Sequence, residues 1–156
     1  MSKSLIVLGS LLVVLLGVYV IFFTDWFDKR SIQIIATIRP TRPSSIQRGV
    51  DTPPVYPVSF SFDGNYRFTE VKVVRADEYA TNKFAPPLWD MISVSNSVPT
   101  KTFFYGYPIK GMKPSVPRAR PEPLDPNVEY LLLLQTADLK GMTNFHTKAA
   151  GPVPGR

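Results

Sequence analysis

"LDPNVEYLLLLQTADLKGMTNF", Leu124 to Phe145, decides the fold, because its centre sets Leu131 to Leu134 in an unbroken row behind Glu129 and Tyr130. A membrane helix, a buried helix and a strand with apolar cover on both faces all accommodate such a row. A membrane helix needs about 20 apolar residues, far more than this row holds. "LDPN" before it and "DLKG" after it are turn-formers that bound a short strand. Neighbouring strand residues point to opposite sides. If Tyr130, Leu132 and Leu134 face a core, then Leu131 and Leu133 face away, and a neighbouring segment or a partner subunit is expected to cover them.

The period of two recurs elsewhere. "SIQIIATIRP" puts Ile32, Ile34, Ala36 and Ile38 on one side, the pattern of a strand with one face buried. A loop rich in Pro, Arg and Ser follows, from Arg39 to Pro57. In "VSFSFDGNYRFTEVKVVRA", Val58, Phe60 and Phe62 alternate with serines, and Val71 and Val73 alternate again beyond "DGN". Turn residues between alternating runs predict a hairpin. "WDMISVSNSV" (Trp89 to Val98) and "TKTFFYGYPI" (Thr100 to Ile109) are two further expected strands. Six prolines between Pro108 and Pro126 exclude a helix or an interior strand there, so an extended surface connection is expected. Short alternating runs punctuated by proline predict an all-β sandwich.

The opening stretch resembles the late strands of a fibronectin type III or related immunoglobulin-like domain. Leu124, Pro126 and Tyr130 match the lead into such a strand, Leu132 and Leu134 its inward positions, and Gly141 the turn after it. "VSFSFDG" and "FTEVKVV" resemble the second and third strands, although the latter lacks a tryptophan. The resemblance implies that Tyr130 is a corner tyrosine, with its ring in the core and its hydroxyl bonded to nearby backbone. It implies an architecture and leaves the function open.

Ahead of the sandwich, Leu5 to Phe23 carry no charge, and a helix of that length rises roughly 28 Å, close to a bilayer's hydrocarbon core. Tyr19 and Trp26 suit the water interface, and "DKR" at Asp28 to Arg30 closes the apolar zone. A cleaved signal peptide would have a shorter core and small residues at the cut, whereas this run leaves through "VIFFTDWF". An uncleaved single-pass anchor is therefore expected, in a bacterial inner membrane. The Lys and Arg count after the span favours a cytoplasmic domain. The short amino-terminal tail with Lys3 favours an extracytoplasmic one, which is the reading adopted, with the other side left open. Gly9, Val13 and Gly17 fall on one face of the helix and suit close approach of another helix. The expected organisation is an anchor with its flanks over residues 1–30, a sandwich with Pro-rich connections over 31–148, and a tail over 149–156.

Chemistry is not legible. The chain has no cysteine, and His146 is its single histidine, so thiolate sites and multi-imidazole metal sites are excluded within one chain. No serine lies in a nucleophile-elbow pattern, no glycine loop suits a phosphate, and Asp77 with Glu78 would point to opposite faces of a strand. No enzyme activity, cofactor or small-molecule substrate is expected. The net charge of +6 is diffuse; it suits anionic lipid or an acidic partner better than nucleic acid. Phe103, Phe104, Tyr105 and Tyr107 cannot all face one core, so they join Leu131 and Leu133 as expected partner contacts. The function expected is a non-catalytic, single-pass accessory subunit that stabilises a larger membrane complex, of the photosynthetic or respiratory type, with integral membrane subunits and lipid as partners. The alternative is an envelope-tethered binding or adaptor module that recognises another protein through its sandwich face.

Overall fold

The computed structural model describes residues 3–23, 31–40, 54–93 and 97–150. They form two compact units, Met1–Arg30 and Ser31–Arg156. The first holds the helix α1, Lys3–Phe23. Among the described residues no helix is long and apolar enough to cross a membrane. The backbone of α1 runs for 21 residues.

The second unit is mostly β. In chain order it contains β1 (Ile34–Ile38), β2 (Val58–Tyr66), β3 (Glu70–Arg75), α2 (Ala76–Thr81), β4 (Trp89–Ile92), β5 (Thr100–Phe104), β6 (Lys113–Pro114), β7 (Glu129–Gln135) and β8 (Lys140–His146). One antiparallel sheet runs β1-β2-β5 and the other β6-β4-β3-β7-β8. Their inner faces enclose one apolar core, drawn from residues 32–145. Val58, Phe60 and Phe62 come from β2, Val71 and Val73 from β3, and Tyr130, Leu132 and Leu134 from β7. The alternation that singled these residues out is the pleat: every second side chain reaches the core.

The hairpin expected at "DGN" does not exist. β2 continues through Asp63, Gly64 and Asn65 to Tyr66 and pairs with β1 and β5, whereas β3 pairs with β4 and β7. The turn residues sit instead within a register irregularity between Ser61 and Tyr66, and the chain crosses between sheets at Arg67–Thr69. Two local details hold that crossing: Phe68 is buried in the core, and the Thr69 amide donates to the Gln135 carbonyl at 2.8 Å.

Four other expectations need adjustment. The strand begun at Trp89 stops at Ile92, and residues 94–96 lie outside the described set. The strand begun at Thr100 stops at Phe104, since the chain turns at Gly106, whose φ of 75° is the left-handed conformation open to glycine. Gly141 lies within β8, not in a turn; the turn before it is closed by Thr136, whose hydroxyl oxygen accepts from the Leu139 amide at 2.9 Å. A Cβ on Gly141 would stand 3.0 Å from Ile32 Cβ and 3.1 Å from Ile34 Cδ1. The glycine therefore admits the chain entering β1, which bridges β8 between Ser31 and Lys140. The expected tail also starts late, because Ala149 bridges Val55 and the Ala150 amide donates to Pro54 at 2.7 Å.

Tyr130 is fully buried, stacked on Phe145 at 5.7 Å, and its hydroxyl oxygen accepts from the Asp125 amide at 2.9 Å. Leu124, just before that amide, is buried. Pro126 helps turn the chain, and Asn127 follows at φ 59°. Tyr130→Phe keeps the ring and leaves the Asp125 amide without its acceptor. A loss of about 1–3 kcal/mol is expected, read as a lower urea midpoint at an unchanged slope.

The tryptophan missing from β3 is supplied by the next strand. Trp89, opposite Val73, is buried against Phe103 at 5.8 Å and Tyr105 at 5.4 Å.

Candidate interaction surfaces

Because each sheet has one face in the core, the outer faces and edges of the unit are what it can offer to other molecules. On the five-stranded sheet the outer rows follow from register: Asp90, Lys72, Leu133 and Met142 lie across β4, β3, β7 and β8, and Val74, Leu131 and Asn144 lie across β3, β7 and β8. The second row is covered at one end by a segment that the sequence reading missed. α2 packs on β3 and β7 and turns through Asn82 into Ala85, which is itself buried, so that Val74 and Leu131 are buried too. Leu131 is thus covered by its own chain and is not a partner contact.

Asp77 and Glu78 lie in the first turn of α2, where carboxylates favour the helix N-terminus. They also flank Arg75, which pairs with Asp77 at 3.4 Å, Glu78 at 3.6 Å and Asp125 at 3.1 Å. The two acids are structural neighbours of an arginine and do not form a strand pair.

The first row stays open. Leu133 is half-buried, Met142 is 64 % exposed, and Phe84, beyond α2, is 92 % exposed. These residues, with Tyr79, Lys83 and Lys140, line a groove of about 880 Å³. Lys83 Nζ lies 4.3 Å above the Tyr79 ring. Lys72 is held by Glu70 at 2.5 Å, and that hydrogen bond raises its pKa. Asp90, across from Lys72, has a carboxyl pushed above its usual range by burial, and its Oδ1 is buried without a hydrogen-bond partner among the described residues. The floor is therefore mixed, with Leu133 and Met142 at one end of the row and Lys72, paired with Glu70, and Asp90 at the other.

The second surface belongs to the three-stranded sheet. Its outer rows, Ile35 with Ser61 and Thr102, and Thr37 with Ser59 and Phe104, carry no charged side chain. Of the four aromatic residues expected to meet a partner, Phe103 and Tyr105 are in the core, and the Tyr105 hydroxyl donates to the Glu122 carbonyl at 2.7 Å. They leave Phe104 and Tyr107 outside, edge-to-face at 6.0 Å, with the Arg39 guanidinium 5.5 Å from the Phe104 ring. Alternation along the strand divides Phe103 from Phe104, and the turn at Gly106 takes Tyr107 away from the side that Tyr105 occupies.

A third recess, about 380 Å³, lies where the proline-rich connection folds along β4, lined by Trp89, Tyr107, Met112, Val116 and Arg120 among others. The connection is fastened by backbone: the Glu122 amide donates to Leu88 at 2.9 Å and the Ser115 amide to Asp90 at 3.1 Å.

On α1, Gly9, Val13 and Gly17 lie along one side, with no described atom within 4 Å of a Cβ placed on either glycine. Tyr19 is exposed. Trp26 lies outside the described residues. His146 reaches Glu129 at 3.5 Å on the surface, and among the described residues no group of three or more acidic or histidine side chains could hold a metal ion. Comparison with protein-family models, with curated proteins and with solved structures finds no match for the chain.

Proposed function

We propose that the protein is a single-pass, membrane-anchored, non-catalytic accessory subunit of a larger membrane protein complex, with a sandwich of the fibronectin type III kind as its working domain. The observation that carries the reading is the surface of α1. Residues 11–16 span every side of the helix, and each of these leucines and valines is exposed. A helix that is apolar all round requires an apolar surrounding. Over 21 residues it is about 32 Å long, the thickness of a hydrocarbon core. The strand order and the Tyr130 corner support the fibronectin-like reading, since sandwiches of that class carry a tyrosine at the start of the same late strand. Phe84 and Met142 support a role in assembly, because large apolar side chains grouped in a groove favour contact with another protein.

The test uses the full chain in its native membrane. Alkaline carbonate should leave it in the pellet, and gentle detergent should release it in fixed stoichiometry with a large integral complex. Extraction by carbonate alone would remove the anchor from the proposal, and recovery as an unassociated monomer would remove the complex. Phe84→Lys combined with Met142→Lys should cut co-purification at least tenfold while the melting temperature and membrane fractionation stay as they were. The separation is expected because both side chains are exposed, and surface substitutions away from special features cost within about 0.5 kcal/mol.

A further inference from the structure

The groove on the five-stranded sheet leaves the opposite outer face unassigned, and the two differ in electrostatic character. The groove has carboxylates, Glu70 and Asp90, among its lysines. On the three-stranded sheet the outer rows are uncharged, and Ile35 is 66 % exposed. Along the β5 edge the cleft is lined by Lys101, Phe104, Tyr107, Lys110 and Val98 among others, and no carboxylate lines it. Arg39 adds a third cation over Phe104. β2 carries one exposed carboxylate on this side, Asp63, beyond the two uncharged rows, and it accepts the Tyr66 hydroxyl at 2.8 Å. An uncharged face bordered by cations and by two outward aromatic rings is the chemistry of a bilayer surface, where cations meet anionic headgroups and aromatic rings sit at headgroup depth.

We infer that the outer face of β1-β2-β5, with its β5 edge, rests on an anionic lipid surface through Arg39, Lys101, Lys110, Phe104 and Tyr107. A protein partner is the poorer fit here, since Val98 and Tyr107 are each only about half exposed and the cations around the cleft have no carboxylate among its lining residues to pair with. The inference is independent of the helix, because it concerns what the sandwich does without it. Each basic side chain at an anionic surface contributes roughly a factor of five in partition, so three contribute about a hundredfold, weakened by salt within a Debye length.

Residues 31–156 carry the whole core of their unit and serve as the probe protein, with folding verified by circular dichroism and a cooperative melt. Co-sedimentation is measured with vesicles of phosphatidylcholine alone and of equimolar phosphatidylcholine and phosphatidylglycerol. The expected result is about a hundredfold preference for the anionic vesicles, abolished by raised salt and cut to about fivefold, the share of Arg39, by Lys101→Gln with Lys110→Gln. Met142→Lys, on the opposite sheet, should not reduce it. Tyr107→Ala should weaken binding at high salt, where the ring is the remaining contact. Equal partition into both vesicles overturns the inference, as does a preference that the double glutamine variant leaves undiminished. Should the fragment fail to melt cooperatively, the same comparison is made with the full chain in nanodiscs of the two compositions. There, protection of Tyr107 from a water-soluble tyrosine reagent in anionic discs alone supports the inference, and equal labelling in both overturns it.

Discussion

Phe60→Ala should lower the unfolding free energy by about 3–5 kcal/mol, a large share of the 5–15 kcal/mol typical of a whole domain. Phe60 is fully buried in β2, its ring 5.5 Å from Phe103 and 5.1 Å, edge-to-face, from Phe145. It therefore joins both sheets, since Phe103 lies on its own sheet and Phe145 on the other. The cavity left by alanine cannot close cheaply. Ala36 and Phe103 flank Phe60 in the ladder, and moving either would disturb the register of β1 or β5. Urea denaturation should show a lower midpoint with an unchanged slope. A change below about 1 kcal/mol would mean that the two sheets do not share this core, because it would match an unpacked surface phenylalanine.

The same residues show what could be read from the chain alone. Val58, Phe60 and Phe62 were legible because alternation with serine admits one strand register, and a one-residue slip would turn the phenylalanines to solvent. Tyr130 was legible only through the resemblance of Leu124, Pro126 and Tyr130 to the lead of a fibronectin-like late strand, which implied a buried ring and a hydroxyl bonded to nearby backbone without naming the partner. The pairing of β2 with β1 and β5 was not legible, since alternation names a strand's faces and not its neighbours. "DGN" carries a turn signal, yet the sheet change occurs at Arg67–Thr69, where Phe68 has a place in the core. α2 was missed for a different reason. Six residues give too few turns for a helical period to appear, and the remaining signal was the acidic pair at Asp77 and Glu78, which also reads as polar surface. With α2 went Phe84, the most exposed large side chain of the groove, whose position depends on where that short helix ends.

Leu131→Lys and Leu133→Lys, adjacent but for one residue, should differ sharply. Leu131 stands between Val74 and Asn144 beneath α2 and is buried, so a lysine there removes apolar burial and places a charge under a covering helix. Removing the leucine's burial costs about 1.5–3 kcal/mol, and a buried unpaired charge costs more still. The lysine can recover part of this by extending its stem past α2 toward water, so the net expectation is a loss of about 3 kcal/mol. Leu133 opens on the groove opposite Lys72 and Met142. A lysine there reaches solvent at once, and its cost is the like-charge pairing with Lys72, about 0.2–1 kcal/mol. Thermal melts of the two variants in parallel would check this, with co-purification measured on the same preparations. Leu133→Lys should stay folded and lose its partner, whereas Leu131→Lys should lose its fold first. Equal melting temperatures would mean that α2 does not cover Leu131, and the outward leucines would then form one continuous surface for a partner.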